Sequence, residues 1–374
     1  VIAEAFSSKV ITPGATHTDD VAWFIRERFA ALDPDGMLGH IDAMGSQIQT
    51  AWDMAPGLPL PDDYKDVKLI VLTGMGGSAI GGDYLAALVA DKCPVPVLVN
   101  RSYDLPAYVS GPDVLVIASS NSGNTEESLA AYDIAKARGT KLLALTTGGE
   151  LANRAKADSV PLWQFTYNSQ PRAALGIGFG LLVGLMQRLG LAGDFSADVA
   201  ETLDLLAQGA ADLGGDVPIA QNAAKRYAGQ CCGRIGVIYG AGIMTPVARR
   251  WKGQINENAK NWAEYDELPE MNHNSIMGTE LPEKGLQNLF AVFLKSRYDH
   301  PRVTLRHNLT FKLFLEQAIG VDTFTARGES RLAQMMNATQ FGDYLSYYLA
   351  MMNAVDPTTI DPINRLKSGL AAAK

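Results

Sequence analysis

The sequence predicts an α/β protein made of two modules, each a mostly parallel sheet with helices on both faces. From residue 67 onward, short continuous apolar runs alternate with amphipathic stretches, a pattern typical of buried parallel strands joined by helices. A strand that ends in a glycine turn occurs twice, first at Gly74-Met75-Gly76 and again at Gly240-Ala241-Gly242. This repetition indicates that one α/β module has been duplicated within the chain.

In the first module, the run VKLIVLTGMGG predicts a strand with its glycine turn, and SAIGGDYLAALVAD predicts the helix that follows. The strands PVPVLVN, DVLVIASS and KLLALTTGG come next, with the helix EESLAAYDIAKARG before the last of them. Right-handed crossovers place the carboxyl ends of such strands at one edge of the sheet, where ligands usually bind. We therefore expect the ligand site at that edge.

In the second module, the strand RIGVIYGAG precedes the helix TPVARRWKGQINENAK, and further strands are predicted over LQNLFAVFLKS and VDTFTARG. A long helix over RLAQMMNATQFGDYLSYYLAMMN comes last. We predict three parts: a helical N-terminal extension packed on the first module (1–66), the first module with phosphate binding (67–200), and the second module with the C-terminal helices (215–374).

Composition restricts the classes of function. Of 374 residues, 47% are hydrophobic and 19% are charged, as in ordinary globular proteins, and the net charge of −8 argues against a nucleic-acid-binding surface. The three cysteines, Cys93, Cys231 and Cys232, form neither a disulfide framework nor a metal-ligand pattern, which favours a reduced, cytoplasmic protein.

No membrane partner is expected. The longest apolar stretch, AALGIGFGLLVGLM, has 14 residues and is rich in glycine, so it predicts a buried core helix rather than a membrane span. The stretch VIAEAFSSKV lacks a basic region followed by an apolar block, so we expect no secretory signal.

The segment GMGGSAIGGD, residues 74–83, places glycines between a strand and a helix. Such a turn exposes amides to an anion at the helix N-terminus, although a tight turn without a ligand has the same pattern. The spacing G-x-G-x-x-A also fits a dinucleotide site, which needs an acidic residue at the end of the next strand. That strand ends in Asn100-Arg101, which disfavours NAD and leaves NADP open.

The segment SSNSGNT, residues 119–125, follows a buried strand with a row of hydroxyls. Ser120, Ser122 and Thr125 can each donate to an oxygen of an anion. Because Glu126 and Glu127 follow, one hydroxyl could instead cap the next helix, but a cap needs only one hydroxyl. The sequence therefore predicts a site for a phosphate monoester, and without a Walker A pattern a nucleoside triphosphate is not expected.

The segment RRWKGQINENAKNWAEYDELPEMNHNS, residues 249–275, carries Glu257 on the helix after the second glycine turn. We expect Glu257 to approach a ligand at the edge of the sheet, and His273 to lie among polar residues. Alone, each has a structural alternative: a solvated surface glutamate and a hydrogen-bonding histidine. Beside a phosphate site, the pair indicates general acid–base chemistry.

We expect no metal and no cofactor. The five histidines stand at positions 17, 40, 273, 300 and 307 and do not form a ligand-spaced set, although HPRVTLRH brings two of them within eight residues.

Several motifs together resemble one known family. GMGGSAIGGD, SSNSGNTEE, NENAK, ELPEMNHN and DYLSYYLAMMNAVDPTTIDPINRLK occur in the same order as in the bifunctional phosphoglucose/phosphomannose isomerases, which contain two sugar-isomerase (SIS) domains. The resemblance runs from about residue 67 to the C-terminus. The first two motifs mark SIS domains in general, and the last three are more specific.

The resemblance implies roles for particular residues. The family's first phosphate turn matches Gly76, Gly77 and Ser78, and its phosphate loop matches Ser120, Ser122 and Thr125. Arg172 matches the arginine that offsets negative charge on the intermediate. The catalytic base matches Glu257.

Three further matches concern ring opening and epimer choice. His273 matches the histidine that assists ring opening, which the family delivers from the partner subunit of a homodimer, and Lys367 matches the lysine beside it. A threonine credited with admitting the mannose epimer matches either Thr358 or Thr359. Two positions depart from the family: Asn121 replaces a tyrosine, and Ser275 replaces a common glutamate.

The resemblance implies an isomerase of glycolysis and gluconeogenesis. It would interconvert glucose 6-phosphate, and mannose 6-phosphate, with fructose 6-phosphate by proton transfer through a cis-enediolate. Three alternatives remain: a non-catalytic sugar-phosphate sensor, an NADP-dependent oxidoreductase, and an isomerase for another sugar phosphate. An amino-sugar-phosphate synthase would need a glutaminase domain with a nucleophilic cysteine, which we do not expect here.

Overall fold

The computed structural model describes residues 24 and 26–373. Within the first module and the segment before it, the helices and strands are α1 Arg26–Leu32, α2 Met37–Asp42, α3 Met44–Met54, β1 Leu69–Thr73, α4 Gly76–Val89, β2 Val97–Asn100, β3 Val114–Ser120, α5 Glu126–Ala137, β4 Lys141–Thr146, α6 Gly149–Ala157, β5 Leu162–Gln164 and α7 Leu175–Leu189. The remaining elements are α8 Ser196–Leu213, α9 Ala223–Cys231, β6 Ile235–Gly240, α10 Thr245–Ala259, β7 Ala263–Glu267, α11 Glu283–Leu286, β8 Leu289–Lys295, α12 Pro301–Glu316, β9 Gly320–Thr325, α13 Arg331–Met352 and α14 Asp361–Ala372.

The described strands form two sheets that share one topology. The first has the order β2-β1-β3-β4-β5 and the second has the order β7-β6-β8-β9. All neighbouring strands are parallel. The second sheet therefore repeats the order of the first four strands of the first sheet. The predicted α/β fold with a duplicated module is confirmed.

A continuous hydrophobic core joins the modules. It includes residues from α4 and α7 of the first module together with residues from α10 and α13 of the second. Nearly every residue of α13 is buried, because this helix contacts α8, α9 and α10. A buried hydrogen bond of 2.7 Å between the Tyr84 and Thr339 hydroxyls also crosses between the modules.

The segment before β1 contacts both modules. Helix α3 packs along α7, and α1 and α2 contact α13. Gly180 and Gly184 of α7 permit this packing, because a Cβ atom at either would lie within 2.7 Å of the Ala51 or Ala55 side chain. The part of the predicted N-terminal extension in residues 1–23 lies outside the described residues.

One stretch of the described residues, Pro171–Leu189, is long and apolar enough to cross a membrane. In the fold, 78% of its most apolar 18-residue segment is buried inside the protein. Because α3 and α4 cover this stretch, its apolar character is explained by its place in the core, as the sequence predicts.

Candidate active site

The first glycine turn brings together the ends of β1 and β3 and the segment before α7. A Cβ atom at Gly74 would lie 2.8 Å from the Ser119 carbonyl oxygen. A Cβ atom at Gly77 would lie 2.9 Å from the Pro171 carbonyl oxygen. Only glycine allows these approaches without displacing backbone. The glycines thus let three chain segments meet at the carboxyl edge of the first sheet.

The hydroxyl loop, Ser119–Thr125, is ordered by its own side chains. The Ser120 hydroxyl is buried, lies 2.9 Å from the Thr125 hydroxyl and accepts from the Gly123 amide at 3.0 Å. Ser122 is exposed, and its hydroxyl accepts from the Asn124 amide at 3.2 Å. Ser120 therefore shapes the loop, while Ser122 lies on its surface.

Two helices begin beside this loop without a side-chain cap. Neither α4 nor α5 has a side-chain hydrogen bond at its N-cap. Thr125 occupies the N-cap position of α5, but its hydroxyl bonds with Ser120 instead. The capping interpretation of this segment is therefore wrong for Thr125. Amides in the first turns of both helices remain without a side-chain acceptor, an arrangement suited to an anion.

Ser78 connects the two helix ends. It lies in the first turn of α4, and its hydroxyl accepts from the amide of Asn121 at 3.1 Å. The position where the family has tyrosine thus contributes its backbone amide to this connection. All six residues predicted for phosphate binding (Gly76, Gly77, Ser78, Ser120, Ser122 and Thr125) lie on this turn and loop.

Arg172 lies in the short 3-10 turn before α7 and is buried. Its Nε donates to Asn258 Oδ1 at 2.7 Å, and its Nη2 donates to the Pro357 and Thr358 carbonyls at 2.5 and 3.0 Å. Its Nη1 lies 3.4 Å from Glu257 Oε2. The guanidinium is therefore held rigidly, with one nitrogen directed at the predicted base.

Glu257 projects from the last turn of α10, and its side chain is 34% exposed. Within the described residues, Arg172 is its side chain's hydrogen-bonding partner. The carboxylate is thus close to a fixed positive charge and still accessible. This combination suits a group that must take up and release a proton.

Glu257 reaches the site by a route different from the one predicted. Twelve residues of helix separate it from the start of α10 at Thr245, about 18 Å at 1.5 Å per residue. It therefore lies at the opposite end of the second sheet from the second glycine turn. Its proximity to the carboxyl edge of the first sheet comes from the packing of α10 against the first module, where it meets Arg172.

The sequence analysis did not identify the residues that support Arg172 and its partner Asn258. Arg250 and Asp343 form a buried two-pronged ion pair with distances of 3.2 and 2.7 Å. Arg250 also donates to the Arg172 carbonyl at 2.8 Å, and Asn258 donates to the Ser346 hydroxyl at 3.0 Å. The available signals were their places in motifs quoted above: Asn258 lies in NENAK, Arg250 in RRWKGQ, and Asp343 and Ser346 in DYLSYYLA.

His273 and Lys367 are not joined to this cluster. Both are exposed, and in the described part of the chain neither makes a hydrogen bond or ion pair with Glu257 or Arg172. His273 follows the carboxyl end of β7, whereas Glu257 precedes its start. The five residues of β7 correspond to about 16 Å. The two side chains thus lie at opposite ends of the strand.

The residues around His273 show what replaces the family's glutamate. The Ser275 hydroxyl donates to Asp266 Oδ2 at 2.6 Å. The Asn274 side-chain amide donates to Glu270 Oε1 at 2.8 Å. Two carboxylates, those of Asp266 and Glu270, therefore flank the histidine turn.

The two candidate threonines differ in burial. Thr358 is buried, its carbonyl accepts from Arg172, and its hydroxyl makes no hydrogen bond within the described residues. Thr359 is exposed, with a 3.4 Å hydrogen bond to the Asp356 carbonyl. Only Thr358 contacts the Arg172 cluster directly.

Arg101, considered above as a partner for an NADP phosphate, is already paired with a carboxylate of the protein. It forms an ion pair with Asp83 Oδ2, and the same oxygen accepts a hydrogen bond from Arg249 of the second module at 2.9 Å.

The two histidines of HPRVTLRH have structural roles: the His300 ring caps α12, and His307 packs against Phe293. Among the described residues, no group of three or more His, Cys, Asp or Glu side chains is placed to hold a metal ion.

Two models of protein families match the chain. The model of the SIS domain matches residues 63–159, and the model of the bacterial phospho-glucose isomerase C-terminal SIS domain matches residues 220–370. Among solved structures, a hypothetical protein from Thermus thermophilus has a TM-score of 0.72 at 14% identity, covering 96% of this chain and 95% of its own. The C-terminal domain of glucosamine-fructose-6-phosphate aminotransferase from Francisella tularensis has a TM-score of 0.69 at 14% identity, covering 87% and 99%. At this identity the two structures establish the fold alone.

Sequence relatives are more specific. A bifunctional phosphoglucose/phosphomannose isomerase from Caldicellulosiruptor bescii is 42% identical over 90% of this chain and 100% of its own length. One from Aquifex aeolicus is 34% identical over 82% of this chain and 92% of its own. A D-glucosamine-6-phosphate 4-epimerase from Sulfolobus acidocaldarius is 30% identical over 57% of this chain and 64% of its own. Relatives of one name thus match most of this chain at 34% and 42% identity, and the chain belongs to the bifunctional phosphoglucose/phosphomannose isomerase family.

Proposed function

We propose that this protein is an aldose–ketose isomerase that interconverts glucose 6-phosphate, and mannose 6-phosphate, with fructose 6-phosphate. The observation that carries the proposal is the contact between Arg172 and Glu257 across the two modules, beside two uncapped helix N-termini. A fixed cation, an accessible carboxylate and an anion-binding edge are what proton transfer on a sugar phosphate requires.

Phosphate binding anchors the substrate at the first sheet. The first-turn amides of α4 and α5, with the hydroxyls of Ser78, Ser122 and Thr125, bind the phosphate oxygens. Ser120 maintains the loop that presents them. Binding energy gathered at the phosphate then orients the reacting carbons near Glu257.

Glu257 transfers the proton between C2 and C1. In the open-chain sugar it removes the C2 proton, and it returns that proton to C1 of the cis-enediolate. Negative charge develops on the two oxygens of this intermediate, and the Arg172 guanidinium offsets it. Because four hydrogen bonds already fix Arg172, little reorganisation is needed in the transition state.

Ring opening requires His273 and Lys367, which supply and remove protons at the ring oxygen and the anomeric hydroxyl. In the described chain His273 and Glu257 lie at opposite ends of β7, whose five residues span about 16 Å. We therefore propose a homodimer in which the partner subunit supplies the histidine. Helix α14, which carries Lys367, has no buried residue and exposes Ile363, Leu366 and Leu370, a surface that favours contact with a second copy.

Epimer choice is assigned to Thr358. Its hydroxyl is buried without a hydrogen bond in the described structure, beside the carbonyl that accepts from Arg172. A buried hydroxyl of this kind is suited to a ligand group. Thr358→Val should reduce mannose 6-phosphate formation more than glucose 6-phosphate formation, whereas Thr359→Val should change neither. Equal loss of both products in Thr358→Val would refute the assignment.

The protein is proposed to act in the cytoplasm, in glycolysis and gluconeogenesis. Support comes from its three unpaired cysteines and from the relatives' reaction. A reduced compartment keeps such cysteines free.

The decisive experiment is conversion of fructose 6-phosphate by the purified protein, with glucose 6-phosphate and mannose 6-phosphate resolved. Both products are expected. Fructose 6-phosphate binding without either product would favour a sugar-phosphate sensor or an isomerase for another sugar phosphate. Glucosamine 6-phosphate should then be tested, because one relative is named as a 4-epimerase of that compound.

A further inference from the structure

Three consecutive carbonyls are held by two cations. The carbonyl turn, Asp356–Thr358, connects α13 to α14. Its first carbonyl accepts from Lys260 Nζ at 2.5 Å, and its second and third accept from Arg172 Nη2 at 2.5 and 3.0 Å. The Asp356 side chain closes the turn by accepting from the Thr358 amide at 2.7 Å. Lys260 and Arg172 therefore fix this turn together.

Lys260 also closes the helix that carries Glu257. Its ammonium donates to the Glu257 carbonyl at 2.9 Å and approaches the Asn258 carbonyl at 3.4 Å. These carbonyls belong to the last turn of α10, which has no further helical amides to satisfy them. One ammonium thus joins the end of the base-bearing helix to the carbonyl turn.

This arrangement is locally unfavourable in two respects. Lys260 has a φ of +51°, in the left-handed region where glycine is the usual residue after a helix. Desolvation, and then the nearby Arg172 guanidinium, lower the pKa of Lys260 to about 8. The other non-glycine residues with positive φ in the described chain are Ser159, Ala318 and Ala354, all with small side chains. An unfavourable backbone conformation and a desolvated charge beside a reacting group are typical of a functional position.

We propose that Lys260 is a positioning residue for the isomerisation, locking the Glu257 turn of α10 against the carbonyl turn that holds Arg172 and Thr358. The inference rests on the proposed function, since it takes Glu257 as the base. Without the ammonium, the Asp356 carbonyl and the end of α10 lose their common donor. The Glu257–Arg172 geometry then loosens while the phosphate edge, which lies on α4 and α5, is unchanged.

Lys260→Gly separates positioning from stability. Glycine relieves the left-handed backbone but removes the hydrogen bonds of the ammonium, so a merely structural lysine predicts a changed thermal stability with full turnover. Positioning predicts a folded protein whose kcat falls about 10²-fold, the scale of a 1 Å misplacement, with KM and inhibition by inorganic phosphate changed less than threefold. Ala318→Gly is the matched control, because it relieves the same backbone conformation after α12 at the far edge of the second sheet. It should keep full kcat.

Chemical rescue gives a second readout. Ethylammonium should restore part of the lost kcat in Lys260→Gly without changing its melting temperature, and rescue should follow the protonated amine as pH rises. The groups that act electrostatically on this position are Arg172, Glu257, Asp356 and Asp361. Because the substitution leaves all four unchanged, the pH profile of kcat is compared for the variant with and without amine. Ethylammonium should have no effect on the wild-type protein.

The outcomes distinguish the two proposals. A wild-type protein that does not convert fructose 6-phosphate would overturn the proposed function itself. An active wild-type protein together with a fully active Lys260→Gly variant would overturn the role of Lys260 alone. Loss of kcat with amine rescue, at unchanged phosphate inhibition, supports it.

Discussion

The two modules share one strand order but differ at their carboxyl edges. In the first module, α5 follows β3 without a side-chain cap, and the hydroxyl loop lies before it. In the second, α12 follows β8 in the same topological position, but the His300 ring accepts from the Arg302 amide at 3.1 Å and Pro301 lacks an amide hydrogen. The amides proposed to bind an anion in the first module thus have counterparts in the second that are occupied or missing.

The second module also supplies its own anion at this edge. The Asp299 carboxylate accepts from the Ser296 amide at 3.0 Å, and the Ser296 hydroxyl donates to Gln334 at 2.7 Å. A duplicated fold therefore does not imply a duplicated site. In the proposed mechanism the second module contributes from its opposite end, through Glu257 in the last turn of α10.

The largest expected effect concerns Glu257, in the last turn of α10. Glu257→Gln should lower kcat about 10²- to 10⁴-fold, because the amide cannot accept the proton that moves between C1 and C2. The side chain is partly exposed and has one hydrogen-bonding partner among the described residues, so thermal stability and KM should change little. The measurement is fructose 6-phosphate turnover with a melting curve.

Glu316→Gln is the control for this first comparison. Glu316 is an exposed carboxylate at the end of α12 in the same module. Its variant should keep wild-type turnover. Near-normal turnover in Glu257→Gln would remove the base assignment and with it the asymmetric use of the second module.

An intermediate effect compares the two carboxyl edges directly. Replacing Ser120 and Ser122 together by alanine should raise KM about 10- to 100-fold, because the Ser122 hydrogen bond to the charged phosphate contributes about 1.5–3 kcal/mol and Ser120 no longer orders the loop. Ser296→Ala, at the matching position of the second module, should leave KM unchanged. Steady-state kinetics and competition by inorganic phosphate measure both. A raised KM in Ser296→Ala would show that the second edge also binds substrate.

The smallest effect concerns the buried pair that fills the second edge. His307 Nε2 lies 3.6 Å from Asp299 Oδ2, and both side chains are almost fully buried. Desolvation raises the pKa of Asp299 to about 6, and desolvation followed by Lys295 lowers the pKa of His307 to about 4. As the pH rises from about 4 to 6, the contribution of Asp299 to the free energy of unfolding falls and that of His307 rises. The two contributions therefore oppose each other.

Asp299→Asn should therefore make stability depend on pH. With the histidine alone, the unfolded chain binds more protons between pH 4 and 6.5, so acidification should weaken the variant by up to about 1.4 kcal/mol per pH unit relative to wild type. Urea unfolding of both proteins from pH 4.5 to 7 measures the difference. Turnover at pH 7 should not change, and a loss of activity would mean that this edge takes part in catalysis.

The residues predicted for phosphate binding lie together at one edge of the first sheet, as the sequence suggests, because their signals are local. Glycines between strand and helix, and the hydroxyl loop after β3, act through backbone conformation within a few residues. The capping question, in contrast, could not be decided from the sequence, because Thr125 had two possible partners. The bond with Ser120 depends on how the loop folds back on itself.

By itself, the sequence determined the duplicated α/β fold, and it predicted an anion-binding edge in the first module and the candidate residues Arg172, Glu257, His273 and Lys367. Only the tertiary structure decided that Glu257 meets Arg172 from the far end of α10, and that His273 lies at the opposite end of β7 from Glu257. It alone revealed the buried Arg250–Asp343 pair and the carbonyl turn shared by Arg172 and Lys260. The physical reason is that parallel strands and helix ends are encoded by neighbouring residues. Contacts between modules depend on how two separate sheets pack around α13.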